Sequence, residues 1–107
     1  MSMLRRFGQI ATLKSDMIEE YDTLHIAVWG DVLKTIKECN LQNYSIYRKD
    51  ELLFAYFEYT GTDYEADMAK MAADPNTQKW WTYTHPCFVQ EDKRQFYTDM
   101  KEIFHID

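Results

Sequence analysis

A chain of 107 residues, 46% of them hydrophobic, carries enough sequence for one domain with one modest core, here expected to span residues 1–107. Eighteen Asp and Glu against twelve Lys and Arg leave a formal charge of −6, which repels phosphate backbones and anionic lipid and argues against nucleic acid or a membrane as partner. Cys39 and Cys87 are too few for a disulfide framework or a thiolate zinc site, and three isolated glycines make no phosphate-cradling loop. No stretch has the length and apolarity of a signal peptide or a membrane span. The expectation is a cytoplasmic protein without cofactor or metal that takes a small neutral ligand. Three Trp, eight Tyr and six Phe exceed what a core of this size requires, so some of those rings should line a site or an interface.

Residues 5–13 alternate loosely, with Phe7, Gln9, Ala11 and Leu13 on one side, and read as a strand. Asp16 then stands where a capping carboxylate would, ahead of a long helix expected to run to about Cys39. Its apolar positions include Met17, Ile18, Tyr21, Leu24, His25, Val28, Val32, Leu33 and Ile36, at the three- and four-residue intervals of a buried stripe. After a break at Asn40, residues 43–49 read as a strand with Tyr44 and Ile46 on one face. A polar turn leads into residues 52–59, the strongest strand pattern in the chain, so the two should form an antiparallel hairpin. Thr62 and Glu65 have capping-box spacing and open a further helix. Asp74 and Pro75 restart it as cap and first-turn residue, and that piece carries Trp80, Trp81 and Tyr83 before stopping near Pro86. Residues 87–96 look like a polar loop, and alternation over residues 100–106 predicts a closing strand.

The order β-α-β-β-α-β is that of the ferredoxin-like split βαβ arrangement, an α+β fold with helices on one face of an antiparallel sheet. The other face would be bare in a monomer, so a homodimer is expected.

His25 follows Tyr21 by one helical turn, on the face expected to meet the sheet. Imidazole is the side chain that gives and takes a proton near neutral pH, but the pattern alone favours a core histidine whose nitrogens are satisfied by neighbours. Tyr44 by periodicity alone is a strand tyrosine reaching solvent. Trp80 and Trp81 sit about 100° apart on their helix, so both can hardly face one core, and one of them could border a cavity. Flat aromatic walls with hydrogen-bonding tips suit a sugar ring, whose faces are apolar and whose rim is hydroxyl. Glu19, Glu20, Asp22 and His25 could surround a cation, although the acids fit better as the solvated side of the helix.

Four segments taken together resemble the L-rhamnose mutarotase family: Glu20-Tyr21 with His25 and Trp29; Asn43-Tyr44-Ser45-Ile46-Tyr47 leading into Leu52-Leu53-Phe54-Ala55; Asp74-Pro75 with Gln78, Trp80 and Trp81; and the ending from Glu102 to Asp107. They occur in order over nearly the whole chain. The resemblance implies a dimeric α/β barrel of ferredoxin-like protomers, with a monosaccharide held between helices and sheet and no metal or coenzyme. It implies an isomerase that interconverts the α and β anomers of L-rhamnose or a related aldose through the open-chain aldehyde. It places the proton donor on His25 and the sugar-binding side chains on Tyr21, Tyr44, Trp80 and Trp81. Two departures stand out. Gly30 follows Trp29 where many relatives have proline, which should bend or loosen the helix without touching the site. The segment 88–94 matches no family motif and could cover the mouth of the pocket, which leaves the choice of sugar open. A cofactorless monooxygenase on the same scaffold and a non-catalytic sugar-binding dimer are the alternatives, separable by oxygen uptake with a phenolic substrate and by sugar binding without anomer exchange.

Overall fold

The computed structural model describes residues 4–89 and 96–107. Four strands, β1 (Arg5–Thr12), β2 (Leu41–Lys49), β3 (Leu52–Tyr59) and β4 (Thr98–Met100), form one antiparallel sheet in the order β2-β3-β1-β4. Between β1 and β2 lie α1 (Ile18–Leu24) and α2 (Gly30–Glu38); between β3 and β4 lie α3 (Tyr64–Ala73) and α4 (Pro75–Thr84). This is the α+β element order read from the sequence. Short 3₁₀ turns precede α1 (Ser15–Met17) and follow α4 (His85–Cys87).

The strand alternation decides which face is covered. Leu53, Ala55, Phe57 and Tyr59 of β3 are buried against the helices, while Phe54 and Tyr56 stand on the opposite face beside Ile10 and Tyr47. Ala11, Leu13, Tyr21, Leu53, Cys87 and Phe88 pack as one core region. A second, around Leu41, Phe57 and Tyr59, takes Ile36, Tyr64, Met68 and Met71 from the helices.

The single long helix expected over residues 16–39 is instead two helices. Asp16 caps nothing; it sits inside the 3₁₀ turn, which has no side-chain cap. α1 ends at Leu24 because the Tyr21 carbonyl is taken by the His25 side chain, Nδ1 to O 2.8 Å, while the His25 amide turns back to Asp22 O at 3.1 Å. The chain runs extended at Trp29 (φ −59°, ψ 136°) and Gly30 opens α2, whose first amides donate to the Trp29 carbonyl. The apolar spacing survives the break because both helices cover the same sheet. Leu33, counted in the buried stripe, is half exposed.

Other boundaries shift for equally local reasons. The cap of α3 is Asp63, whose carboxylate accepts from the Ala66 amide, and not Thr62. Asp74 does cap α4, accepting from the Thr77 amide and hydroxyl at 2.8 Å each, with Pro75 in the first turn. The closing strand is Thr98–Met100, earlier and shorter than the expected 100–106. Residues 101–107 run past the edge of the sheet with Ile103, Phe104 and Ile106 about four-fifths exposed or more, anchored at the root by an Arg6–Glu102 ion pair. Of the expected polar loop, Cys87 and Phe88 are core residues, and Phe88 bridges to Leu13; residues 90–95 of it lie outside the described residues. Among the described residues no helix is long and apolar enough to cross a membrane.

Candidate functional site

A cleft of about 900 Å³ opens between α1, α2 and α4 on one side and β2 and β3 on the other. Its walls include Tyr21, His25, Tyr44, Trp80 and Trp81, the five residues singled out in the sequence. The volume lies within the range of small-molecule sites, roughly 300–1,000 Å³.

His25 stands at the C-terminal end of α1. A carbonyl oxygen can only accept, so the contact with Tyr21 O puts the ring proton on Nδ1 and leaves Nε2 of the neutral imidazole as the acceptor. Among the described residues Nε2 makes no hydrogen bond. The ring stacks on Tyr21 with centroids 4.3 Å apart and meets Trp80 edge-on at 5.6 Å. Trp80 is buried, and Trp29 packs edge-on against it at 5.1 Å, so the imidazole has an aromatic backing on two sides.

Tyr21 is buried with its hydroxyl 3.2 Å from that of Tyr97. Burial pushes its phenol up to about 12, the Tyr97 hydrogen bond opposing the shift only in part. Tyr44 reaches the cleft from β2 by way of a bulge. Between Gln42 and Ser45 the strand carries an extra residue, so Leu41 and Tyr44, three apart, both face the helices. Asn43 absorbs the irregularity with φ 49° and donates to Glu58 Oε1 at 2.7 Å. Tyr44 is 39% exposed as a residue, yet protein surrounds its phenol closely enough for desolvation to dominate its titration. That crowding pushes the phenol far up, helped by Tyr97 and Tyr64 nearby. At neutral pH these phenols are therefore neutral hydroxyls that donate and accept hydrogen bonds and do not act as anionic bases.

At one end of the cleft Arg48 grips Asp22 with two parallel bonds, Nε to Oδ1 at 2.9 Å and Nη2 to Oδ2 at 2.8 Å, tying β2 to α1. No group of His, Cys, Asp and Glu able to hold a metal occurs among the described residues. The acids flanking His25 are exposed, and Asp22 is committed to Arg48. The arrangement is an imidazole beside neutral hydroxyls, in a cavity with apolar aromatic walls.

The family model for L-rhamnose mutarotase matches residues 6–106. The chain belongs to this family. It is 33% identical to the L-rhamnose mutarotase of Lactiplantibacillus plantarum, the match covering 95% of this chain and 98% of that one. It is 32% identical to the L-rhamnose mutarotase of Oceanobacillus iheyensis, over 97% of this chain and 100% of that one. The crystal structure of an L-rhamnose mutarotase from Formosa agariphila superposes with a TM-score of 0.75, covering 96% of this chain and 99% of that one. At 20% identity that likeness speaks for the fold.

Within this mutarotase-family chain the structure brings Tyr21, His25, Tyr44 and Trp80 to one cavity. Trp81 contributes to the wall but turns its ring onto His85, stacked at 5.2 Å, beside a second, shallower hollow. The two tryptophans thus diverge as their helical spacing requires. Trp29 backs the site although the sequence offered it only as part of a motif, and the break between α1 and α2 means that its four-residue step from His25 is not what places it there. Tyr97 was missed: it lies 76 residues from its partner Tyr21 and carries no local pattern.

Proposed function

We propose that the chain is an L-rhamnose mutarotase, an isomerase that exchanges the α and β anomers of the sugar through its open-chain aldehyde. One observation supports it above the family membership: an imidazole lining an aromatic cleft, with one nitrogen committed to a carbonyl and the other without a hydrogen bond among the described residues. Tyr21, Tyr44, Trp80 and Trp81 bind the ring, the phenols by hydrogen bonds to its hydroxyls and the indoles by contact with its apolar faces.

Opening a hemiacetal requires a proton on the ring oxygen and the loss of another from the anomeric hydroxyl. His25 in its protonated form, with Nδ1–H still bound to Tyr21 O, donates from Nε2 to the ring oxygen as the C1–O bond breaks. The anomeric hydroxyl releases its proton to water in the open cleft and becomes the aldehyde oxygen. Rotation about C1–C2 turns the other face of the aldehyde to the hydroxyl that His25 then deprotonates; as the new C1–O bond forms, the aldehyde oxygen takes a proton back from water, and the ring closes as the opposite anomer with His25 again protonated. A positioned acid or base of this kind contributes about 10²- to 10⁴-fold. The neutral phenols hold the sugar through both proton transfers without competing for them.

In this reading one domain spans residues 1–107 and two ferredoxin-like protomers pair into a dimeric barrel. Support comes from the open face of the sheet, where Tyr47 is 68% exposed and Ile10, Phe54 and Tyr56 remain partly exposed. The apolar tail points the same way, with Ile103 90% exposed. Sedimentation equilibrium of the intact chain should report twice the 12.9 kDa protomer mass; a monomer at micromolar concentration would remove the dimer.

The test of the activity is NMR saturation transfer between anomeric protons across L-rhamnose, L-fucose and other aldoses. Exchange above the buffer rate is expected with L-rhamnose. Exchange at the buffer rate for every sugar, with binding intact, would leave a sugar-binding protein and refute the enzyme.

A further inference from the structure

Tyr97 stands just ahead of β4, behind the cleft wall, and its hydroxyl meets that of Tyr21 at 3.2 Å. Its ring is held edge-on by Phe88 at 5.5 Å, and Phe88 in turn meets Tyr21 edge-on at 5.5 Å, so three rings clamp one another behind the cleft. Tyr97 is not itself on the cleft wall, whereas Tyr21 is. Among the described residues the Tyr97 hydroxyl has no partner but Tyr21.

We propose that Tyr97 is a positioning residue that orients the Tyr21 hydroxyl toward the sugar. The inference rests on the proposed function, in which Tyr21 binds the substrate. A phenol has one proton to donate and two lone pairs. Left alone, the Tyr21 hydroxyl would rotate among several orientations, and the sugar would have to select one of them. The contact with Tyr97 ties one of its hydrogen-bonding directions to the protein and leaves the remainder for the sugar. Two neutral phenols can hold this contact steadily because burial, the largest cause for each, keeps both from ionising at working pH. The same clamp sets the plane of the Tyr21 ring, against which the imidazole lies at 29°. Tyr97 therefore acts on the sugar at second hand, by restricting the residue that touches it.

The experiment is a double-mutant cycle on the intact chain with Y97F, Y21F and the double variant, each assayed for L-rhamnose anomer exchange by saturation transfer. Phenylalanine keeps the ring and its packing on Phe88 and removes only the hydroxyl. One hydrogen bond of ordinary net strength corresponds to about a three- to ten-fold effect. Y97F should raise KM by about that factor with kcat little changed, because Tyr21 binds the sugar alike in ground and transition states. In the Y21F background, where nothing is left to orient, the same substitution should change KM less than about two-fold. A purely structural role would cost the same in both backgrounds even if Y97F lowered the melting temperature. Equal factors in the two backgrounds, or parental KM in Y97F, would overturn the inference while the parent's activity kept the proposed function standing. A parent that exchanged no anomers would overturn that function and this role with it.

Discussion

Replacing His25 by Asn separates the cap that the imidazole provides from the proton transfer proposed for it. In the folded chain Nδ1–H closes the end of α1 on the Tyr21 carbonyl at 2.8 Å, and the ring lines the cleft. Asn offers an amide N–H in the place of Nδ1 and has nothing to exchange protons near neutral pH, so His25→Asn keeps the cap and removes the chemistry. Alanine would remove both, adding the loss of a hydrogen bond worth about 1 kcal/mol to any kinetic effect. For His25→Asn the expected loss in kcat is that of a general acid, about 10²- to 10⁴-fold, or about 2.7–5.5 kcal/mol on the barrier. Sugar affinity should change little, because the hydroxyls of Tyr21 and Tyr44 and the face of Trp80 remain. Saturation transfer between the anomeric protons of L-rhamnose gives the rate, and quenching of tryptophan fluorescence, dominated by rings such as Trp80 at 5.6 Å from the imidazole, gives the affinity. A variant that folds, binds and exchanges anomers at the parental rate would refute the proton-transfer role and leave His25 as a helix cap.

Two further outcomes test the frame around the site. A Cβ on Gly61 would lie 2.6 Å from Tyr59 Cζ and 2.7 Å from Asp67 Oδ2, so Gly61→Ala must displace the Tyr59–Asp67 hydrogen bond and should cost about 1–3 kcal/mol in urea unfolding; an unchanged midpoint would show that the loop yields freely. The second concerns acid. Asp74 lies below the usual carboxylate range because of its bonds from the Thr77 amide and hydroxyl, and Asp67 because of Tyr59 and Asn40. A carboxyl whose folded pKa is depressed stabilises the fold above its unfolded pKa, and that contribution disappears as pH falls through the folded value. Melting temperature should therefore be level above about pH 5 and decline below it. Asp74→Asn, which keeps a capping oxygen and does not titrate, should make the decline shallower in circular dichroism melts; parallel curves would dismiss Asp74 as a source of the acid sensitivity.

Much of this architecture was legible because it follows from local pattern. The run from Leu52 to Tyr59 alternates cleanly between covered and open faces, and Asp74 with Pro75 marks a helix start through capping and through a missing N–H that costs nothing there. Periodicity failed where a side chain displaced the backbone. The spacing from Met17 to Ile36 is continuous since α1 and α2 cover one sheet, and the interruption between them depends on His25 taking a carbonyl. The site was legible to the same degree. Tyr21 and His25 are one turn apart and could be paired on paper. Tyr44 needed the bulge at Asn43 to be understood, because an unbroken strand starting at Leu41 would set Leu41 and Tyr44 on opposite faces. Tyr97 required the fold, since its role exists only once β4 lies alongside β1.

The broken helix bears directly on the chemistry. Had α1 continued through residue 29, the Tyr21 carbonyl would have accepted the amide of residue 25, and Nδ1 would have been left to find another partner or to share its proton with Nε2. Ending the helix at Leu24 frees that carbonyl for the imidazole, and the carbonyl in turn dictates which nitrogen carries the proton when the ring is neutral. The same turn brings Trp29 round to pack against Trp80 and Tyr83, closing the wall behind the ring. Gly30 is the first residue of α2, directly after an extended Trp29, but a Cβ there would meet nothing within 4 Å and its φ is not positive, so the restart does not depend on glycine. A substitution that rejoined α1 to α2 would therefore disturb the tautomer of His25 and its aromatic backing together, even though it touched neither ring.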